Sequence, residues 1–228
     1  RMLEDPRMGH QAPHSQGAPG RGEGFDQAAR EVHVRGGDTA AGELSPGYLA
    51  PTLAALMGFG APRDSACAPS GEVLDAARRV LAFGAGRALV FAPDAIGCAQ
   101  TRRFPGLRDA ILARAPHAFP MRAAFPPKTP VCFASMFTGA GPSVHGISRY
   151  EKPVLTCDTL FDAAIRAGAR VAIAAVEDSS IDLIFRGRDV DYVSSPDDGS
   201  VLESAETRAA GSSRSDGRLS AGLRRSAA

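Results

Sequence analysis

Lysine is almost missing from this chain: Lys128 and Lys152 are the only two, and the rest of its 26 basic residues are arginine. Alongside abundant Ala and Gly, that bias is a mark of nucleotide composition, so an isolated Arg says little about function. An excess of charge of either sign is also lacking, since 26 Lys+Arg stand against 25 Asp+Glu for a formal net charge of +1. This removes the simplest case for a nucleic-acid partner, because neutralising a phosphate backbone takes a basic excess or a basic stripe. No run of about 18 apolar residues occurs, which excludes a helical membrane span. A charged start followed by an apolar stretch and a small-residue cleavage site is absent too, so the expected compartment is the cytoplasm. Four cysteines (Cys67, Cys98, Cys132, Cys157) without a CxxC argue against a zinc ribbon or redox pair and suit reduced thiols.

What is there divides into three parts. Residues 1–44 are rich in Gly, Pro, His, Gln and charge, with Val32 and Val34 around His33 as their apolar pair, and read as a weakly ordered segment. Residues 45–195 alternate apolar runs with Gly/Pro punctuation, as a folded domain does. Residues 196–228 turn to Ser, Ala, Gly and Arg and read as a disordered or out-of-family tail. Two accounts of that tail stay open: a flexible basic extension, or a truncated or frame-shifted reading of a longer protein.

Within the middle part, Pro51 to Met57 closed by Gly58 predicts a short helix. Ser70 predicts the cap of a second, with Leu74, Ala77 and Leu81 on one face and an end near Gly84. The run ALVFA, Ala88 to Ala92, reads as a buried parallel strand, and Met121 to Phe125 as a second strand. Between them Leu107, Ala110 and Ile111 mark a helix. Val131 to Thr138 reads as a helix ending at Gly139. Thr156 or Asp158 is expected to start another, with Leu160, Phe161, Ala164 and Ile165 inward and Gly168 at its end, feeding the strand Val171 to Val176. This order predicts an α/β fold: a mostly parallel sheet with helices on both faces.

Functional groups in open parallel sheets gather at the carboxyl ends of strands. Asp94 follows the ALVFA run; a lone Asp there is a turn residue or helix cap, or a ligand for a divalent metal. Thr129 precedes Pro130, whose missing N–H suits the first helical position and puts Thr129 at the N-cap. A hydroxyl there lies among unpaired N–H groups at the positive end of a helix, a setting that attracts phosphate or sulfate. The plain alternative is that Thr129 only caps its helix. An unassisted Thr hydroxyl is a poor nucleophile at neutral pH and needs a base or a metal.

The stretch FPPKTPVCFASMFTGAGPSVHGI, Phe125 to Ile147, resembles the nucleophile region of the alkaline phosphatase superfamily, in particular its type I phosphodiesterase/nucleotide pyrophosphatase branch. The resemblance rests on Lys128-Thr129, Thr138-Gly139, Pro142 and His145-Gly146-Ile147 in order. It extends over residues 45–195, through PTLAALMGFGAP before the first strand and Tyr150 to Tyr192 after the motif. It implies an alkaline-phosphatase-like fold, incomplete here, and a metal-dependent phosphoester hydrolase acting through a covalent phospho-enzyme. Thr129 would be the metal-activated nucleophile, Asp94 the first metal ligand, and Lys128 and Cys132 substrate-side positions. Two divalent ions are implied, zinc foremost, with manganese or magnesium as alternatives. The implied partner is a small phosphorylated substrate rather than a nucleic acid or a membrane, with the oligomeric state open.

Two departures bear on that expectation. Cys132 stands where the nucleotide pyrophosphatases carry a phosphate-binding Asn, and a thiol is the weaker donor. No histidine follows His145, whereas the superfamily completes its metal site with later Asp and His residues. Asp178, Asp182, Asp189 and Asp191 read as solvated loop and cap residues, with a carboxylate-only Mg²⁺ or Mn²⁺ site as the alternative. His145 reads as structural, His117 as loop, and His10, His14 and His33 as lacking a rigid setting. A second function therefore stands beside the hydrolase: a noncatalytic anion-binding or interaction module. A Rossmann dinucleotide site fits less well, because Gly84-Ala85-Gly86 precedes its strand and no GxGxxG opens a helix.

Overall fold

Local start and stop signals place most of the helices. The computed structural model describes residues 44–81 and 85–223, with side chains to residue 210, and all of these fall in one compact unit, Ala41–Ala228. His10, His14, His33 and Gly84 lie outside the described residues, as does residues 1–44 up to Leu44 itself. After a 3-10 turn at Pro46–Tyr48, helix α1 (Leu49–Met57) ends at Gly58 with φ 78°. Helix α2 (Gly71–Arg78) starts at Ser70, whose Oγ accepts the Val73 N–H at 3.4 Å. The Ser70 N–H in turn donates to Thr52 Oγ1 at 2.9 Å, tying α2 to α1. Helices α3 (Cys98–Arg103) and α4 (Pro105–Leu112) follow without a buried residue.

Helix α5 (Thr129–Thr138) is the centre of the unit. Pro130, Val131, Phe133, Ala134, Ser135, Phe137 and Thr138 are all buried, so it is enclosed on most of its circumference. The single turn α6 (Pro142–His145) folds back beside it, and α7 (Leu160–Arg166) packs Leu160 and Ala164 inward. The cap of α7 is Thr159, not Thr156 or Asp158. Thr159 Oγ1 accepts the Asp162 N–H at 3.4 Å while Asp162 Oδ2 accepts the Thr159 N–H at 2.8 Å, a reciprocal pair that neither earlier residue can make with a carboxylate three positions on.

Strand β1 (Ala172–Val176) pairs in parallel with β2 (Asp191–Ser195), with Ala172 opposite Asp191 and Val176 opposite Ser195. Parallel neighbours need a crossover, and α8 (Ser180–Ile184) supplies it. Ile173 of β1, Ile184 and Phe185 at the end of α8, and Leu155 close the core over Val131, Phe137 and Ala54. The fold is thus a mixed helix and strand arrangement with a small parallel two-stranded sheet.

The two expected strands before α5 also differ from this structure. ALVFA forms no strand: Leu89 is 77% and Phe91 70% exposed, and only Ala92 leans on the core. An apolar run favours burial in general but does not specify a strand beside it, and an isolated strand without a ladder has nothing to hold its backbone. Met121 to Phe125 is reduced to one parallel bridge between Met121 and Leu44. Beyond residue 196, helix α9 (Asp198–Leu223) begins and packs on β1 and β2. Its start has a local cause, since Asp197 Oδ1 accepts the Ser200 N–H at 2.9 Å as an N-cap does. Among the described residues no helix is long and apolar enough to cross a membrane.

The end of α5 is the tightest point. Gly139 has φ 71°, and a Cβ added there would meet Ser65 Oγ at 2.2 Å and Ser65 Cβ at 2.8 Å. Its carbonyl accepts the Ala66 N–H at 2.9 Å, so the 62–67 loop cannot simply retreat. Gly139→Ala combines left-handed strain with a steric clash and is expected to lower stability by about 2–4 kcal/mol. A urea midpoint equal to that of the parent chain would contradict this account.

Candidate functional site

The first turn of α5 sets the position of Thr129. Lys128 has extended backbone at φ −116° and ψ 140°, and its carbonyl accepts the Cys132 N–H at 2.9 Å. Lys128 is therefore the N-cap and Thr129 the first helical residue, one position later than expected. The shift has a simple cause: every N–H of the first turn lacks an intrahelical acceptor, so proline is tolerated at its second position as well as its first. Pro130 offers no donor, which leaves the Thr129 and Val131 N–H groups as the free dipoles of that turn. The Lys128 side chain is exposed, and Cys132 is a half-buried free thiol further along the helix.

Asp94 reaches the same place from a different direction. It follows the 88–93 stretch, which is neither helix nor strand, and its Oδ1 accepts the N–H of Ala95 at 2.8 Å. Ala95 has φ 56°, a left-handed conformation that costs a non-glycine residue about 1–2 kcal/mol. This bend brings Asp94 Oδ1 to 3.5 Å from Thr129 Oγ1, across 35 residues of sequence. At that distance the contact is a weak hydrogen bond, and its significance is the juxtaposition. Lys128 and Cys132 flank Thr129 along the chain, so all four sequence-selected positions gather around one helix start.

As a metal centre the set is short of ligands. Asp94 and Thr129 offer two oxygen donors, whereas a zinc site takes four ligands and magnesium or calcium six or more. Among the described residues no group of three or more His, Cys, Asp or Glu is arranged to hold a metal ion. The residues present supply two oxygen donors and do not make up a full metal set.

The remaining candidates are committed elsewhere. His145 is buried beneath α5, with Nε2 3.0 Å from Ser135 Oγ and Nδ1 accepting the Ile147 N–H at 3.2 Å. Accepting at Nδ1 fixes the neutral tautomer, with Nε2–H as donor to the serine. Asp182 is not a solvated loop residue: it is fully buried and bound by Arg186, by Tyr192 Oη at 3.0 Å and by the Asp178 N–H at 2.9 Å. Burial alone would raise its carboxyl pKa, but these donors outweigh it and hold the carboxyl below the usual range. Burial and the same carboxylate push the Tyr192 hydroxyl well upward. Asp191 pairs with Arg208 at 2.8 Å, whereas Asp178, Asp189 and His117 are exposed.

A cluster that sequence reasoning missed lies around Arg188. Its side chain is 8% exposed, and Nε donates to Thr159 Oγ1 at 3.1 Å and Asp162 Oδ2 at 3.2 Å. Nη2 donates to the carbonyls of Leu155 and Cys157 at 3.2 and 3.3 Å. The only advance signal was the FRGRD run, which the general abundance of arginine hides. Arg188 belongs to the wall of an open cleft of about 700 Å³ that also includes Arg63, Asp158, Arg166 and Arg186. Asp158 binds Arg166 through both oxygens, at 2.5 and 2.7 Å, and also accepts the Arg63 N–H at 2.8 Å. The charges of this cleft largely satisfy one another, and neither Asp94 nor Thr129 lines it.

Comparison of the chain with protein-family models, with curated proteins and with solved structures finds no match. What the site can do therefore has to be argued from its own groups.

His145 gives a pH signature. Burial lowers its pKa in the folded chain, while an unfolded histidine titrates near 6.5. Below that value the unfolded chain takes up a proton that the folded chain refuses, so this group adds nothing to the pH dependence above about pH 7 and destabilises as pH falls from there. Urea midpoints measured from pH 7.5 to 5.5 are expected to fall in the parent chain and to fall less steeply in His145→Gln. Equal slopes would remove His145 as the cause.

Proposed function

We propose that this chain carries the nucleophile side of a phosphoester-hydrolysing site of alkaline-phosphatase type, with Thr129 as the phosphoryl acceptor. The observation that carries this reading is the approach of the Asp94 carboxylate to the Thr129 hydroxyl at a helix start, 3.5 Å apart. On the same reading, the β1–α8–β2 unit and α5 are part of a larger α/β sheet, consistent with the resemblance of residues 45–195 to that superfamily.

The chemistry follows from the groups around Thr129. A phosphoryl group at the start of α5 would place its oxygens toward the Thr129 and Val131 N–H groups, which favour negative charge. Lys128 adds a cation on the solvent side. Thr129 Oγ1 attacks phosphorus as the bond to the leaving oxygen breaks and the hydroxyl proton passes through solvent to that leaving oxygen, giving a phosphothreonine that water then hydrolyses to threonine and phosphate. Asp94 accepts the Thr129 hydroxyl hydrogen bond and orients the oxygen. A carboxylate is too weak a base to ionise threonine by itself, so the intact site needs a further activating group. In the resembling superfamily divalent metal ions fill that role. Cys132 in place of an amide donor leaves the backbone N–H groups and Lys128 as the phosphate contacts, which disfavours a nucleotide-selective pocket.

Release of p-nitrophenolate from p-nitrophenyl phosphate and from its diester, with Zn²⁺, Mn²⁺ or Mg²⁺ supplied, tests this. Thr129→Ala is expected to lower turnover on the order of 1000-fold or more with an unchanged circular dichroism spectrum. Asp94→Asn is expected to weaken metal-dependent turnover by about 10-fold or more. Full activity in Thr129→Ala would refute the nucleophile assignment. Phosphate binding by the parent chain without turnover of either ester would favour the noncatalytic anion-binding module instead.

A further inference from the structure

The near-zero total charge averages over two unlike parts. Between the end of α2 and the start of α5, residues 79–128 contain eight Arg and Lys against Asp94 and Asp109, an excess of six in a chain whose total is +1. The remainder is correspondingly acidic. The same stretch holds ten of the large apolar side chains that are exposed among the described residues, including Leu89, Phe91, Phe104, Met121 and Phe125, against four elsewhere. Phe125 is 86% exposed and Val80 68%. Neither α3 nor α4 buries a residue, and the guanidinium of Arg103 lies 5.8 Å from the Phe104 ring centre. Exposed apolar groups at this density mark a surface that meets something other than water.

We propose that residues 79–81 and 85–128 form a surface that adsorbs to an anionic lipid bilayer. Charge complementarity selects the sign of the partner, because an excess of six positive charges is attracted to an anionic leaflet and repelled by a second copy of itself. The apolar groups select its class. Seven of the ten are aliphatic, and aliphatic side chains gain nothing from a phosphodiester backbone, where bases stack on rings. A lipid interface accommodates both kinds of group: Leu89, Phe91 and Phe104 enter the acyl boundary while Arg79, Arg103 and Arg114 stay with the headgroups. Asp94 and Lys128 of this stretch belong to the candidate site; the groups that would meet the lipid take no part in phosphoester chemistry at Thr129, so the proposal stands or falls apart from that reading.

Co-sedimentation of the full chain with unilamellar vesicles tests the proposal. Binding to phosphatidylcholine vesicles containing about 30% phosphatidylserine is expected to exceed binding to pure phosphatidylcholine by roughly tenfold or more at about 0.1 M salt, and to fall by a similar factor at about 0.5 M. The double substitution Arg103→Glu and Arg114→Glu should abolish the preference. Phe91→Ser with Phe104→Ser should weaken binding about fivefold or more, whereas Leu202→Ser, exposed but outside the stretch, should not. Equal binding to both vesicles, no binding, or an unaltered affinity in the charge-reversed chain would overturn the proposal. So would tighter binding to a single-stranded oligonucleotide than to the anionic vesicles, or a dimer in gel filtration that the Phe→Ser pair dissolves.

Discussion

Three phenylalanine rings hold the folded unit together. Phe137 of α5 stacks on Phe161 of α7 with centroids 4.9 Å apart, and both meet Phe185 at the end of α8 edge-on, at 5.2 and 5.1 Å. Offset stacking combined with edge contacts is the arrangement that the ring quadrupole favours, and it fixes relative angles as well as distances. Because the three rings come from three helices, neither α7 nor the β1–α8–β2 crossover can shift without displacing α5. The consequence reaches the candidate site: Thr129 is the first residue of the helix that the rings immobilise.

The polar groups beside this cluster follow the same plan. Arg188 has its guanidinium 5.7 Å from the centre of the Phe185 ring and spends its hydrogen bonds on Thr159, Asp162 and two carbonyls of the 155–157 loop. Asp182, in the middle of α8, gathers Arg186, Tyr192 and the Asp178 N–H. Among the described residues no buried side-chain nitrogen or oxygen lacks a partner. Satisfied networks of this kind add less net stability than their bond count suggests, but removing a partner leaves the buried Asp182 carboxylate or the Arg188 guanidinium with a lost hydrogen bond. They therefore specify one arrangement of α7, α8 and β2 rather than merely favouring compactness.

This separates what could be read in advance from what could not. The helix before Gly58, the one before Gly139 and the strand after Gly168 were legible because a stop signal, a periodic apolar pattern and actual burial coincide there. ALVFA was misread because apolar composition states a preference for burial and is silent about which neighbour provides it. Capping was misplaced by one to three residues at α5 and α7, where Thr, Asp and Pro recur close together and only the reciprocal bond decides. Asp182 reads as solvated because its burial depends on β2 bringing Tyr192 over it, a contact that the local i,i+4 pairing with Arg186 does not reveal. Asp94 and Thr129 stand out by position, after an apolar run and before a helix-starting proline, and again by resemblance, but their approach across 35 residues is a property of the fold.

The two members of that pair are held very differently. Thr129 stands on a helix whose following residues are buried and locked by aromatic packing, whereas Asp94 is exposed and rests on a stretch whose only hold on the core is Ala92. Oriented chemistry needs reacting groups held within a fraction of an ångström, which rigid elements supply better than loops. Ala92 lies two residues before Asp94 and Ala95 one after it, so a small apolar contact and one left-handed bend are what aim the carboxylate. At 3.5 Å the two oxygens are in weak hydrogen-bond contact. In this site precision belongs to the hydroxyl and adaptability to the carboxylate, a division that follows from where the phenylalanine cluster ends.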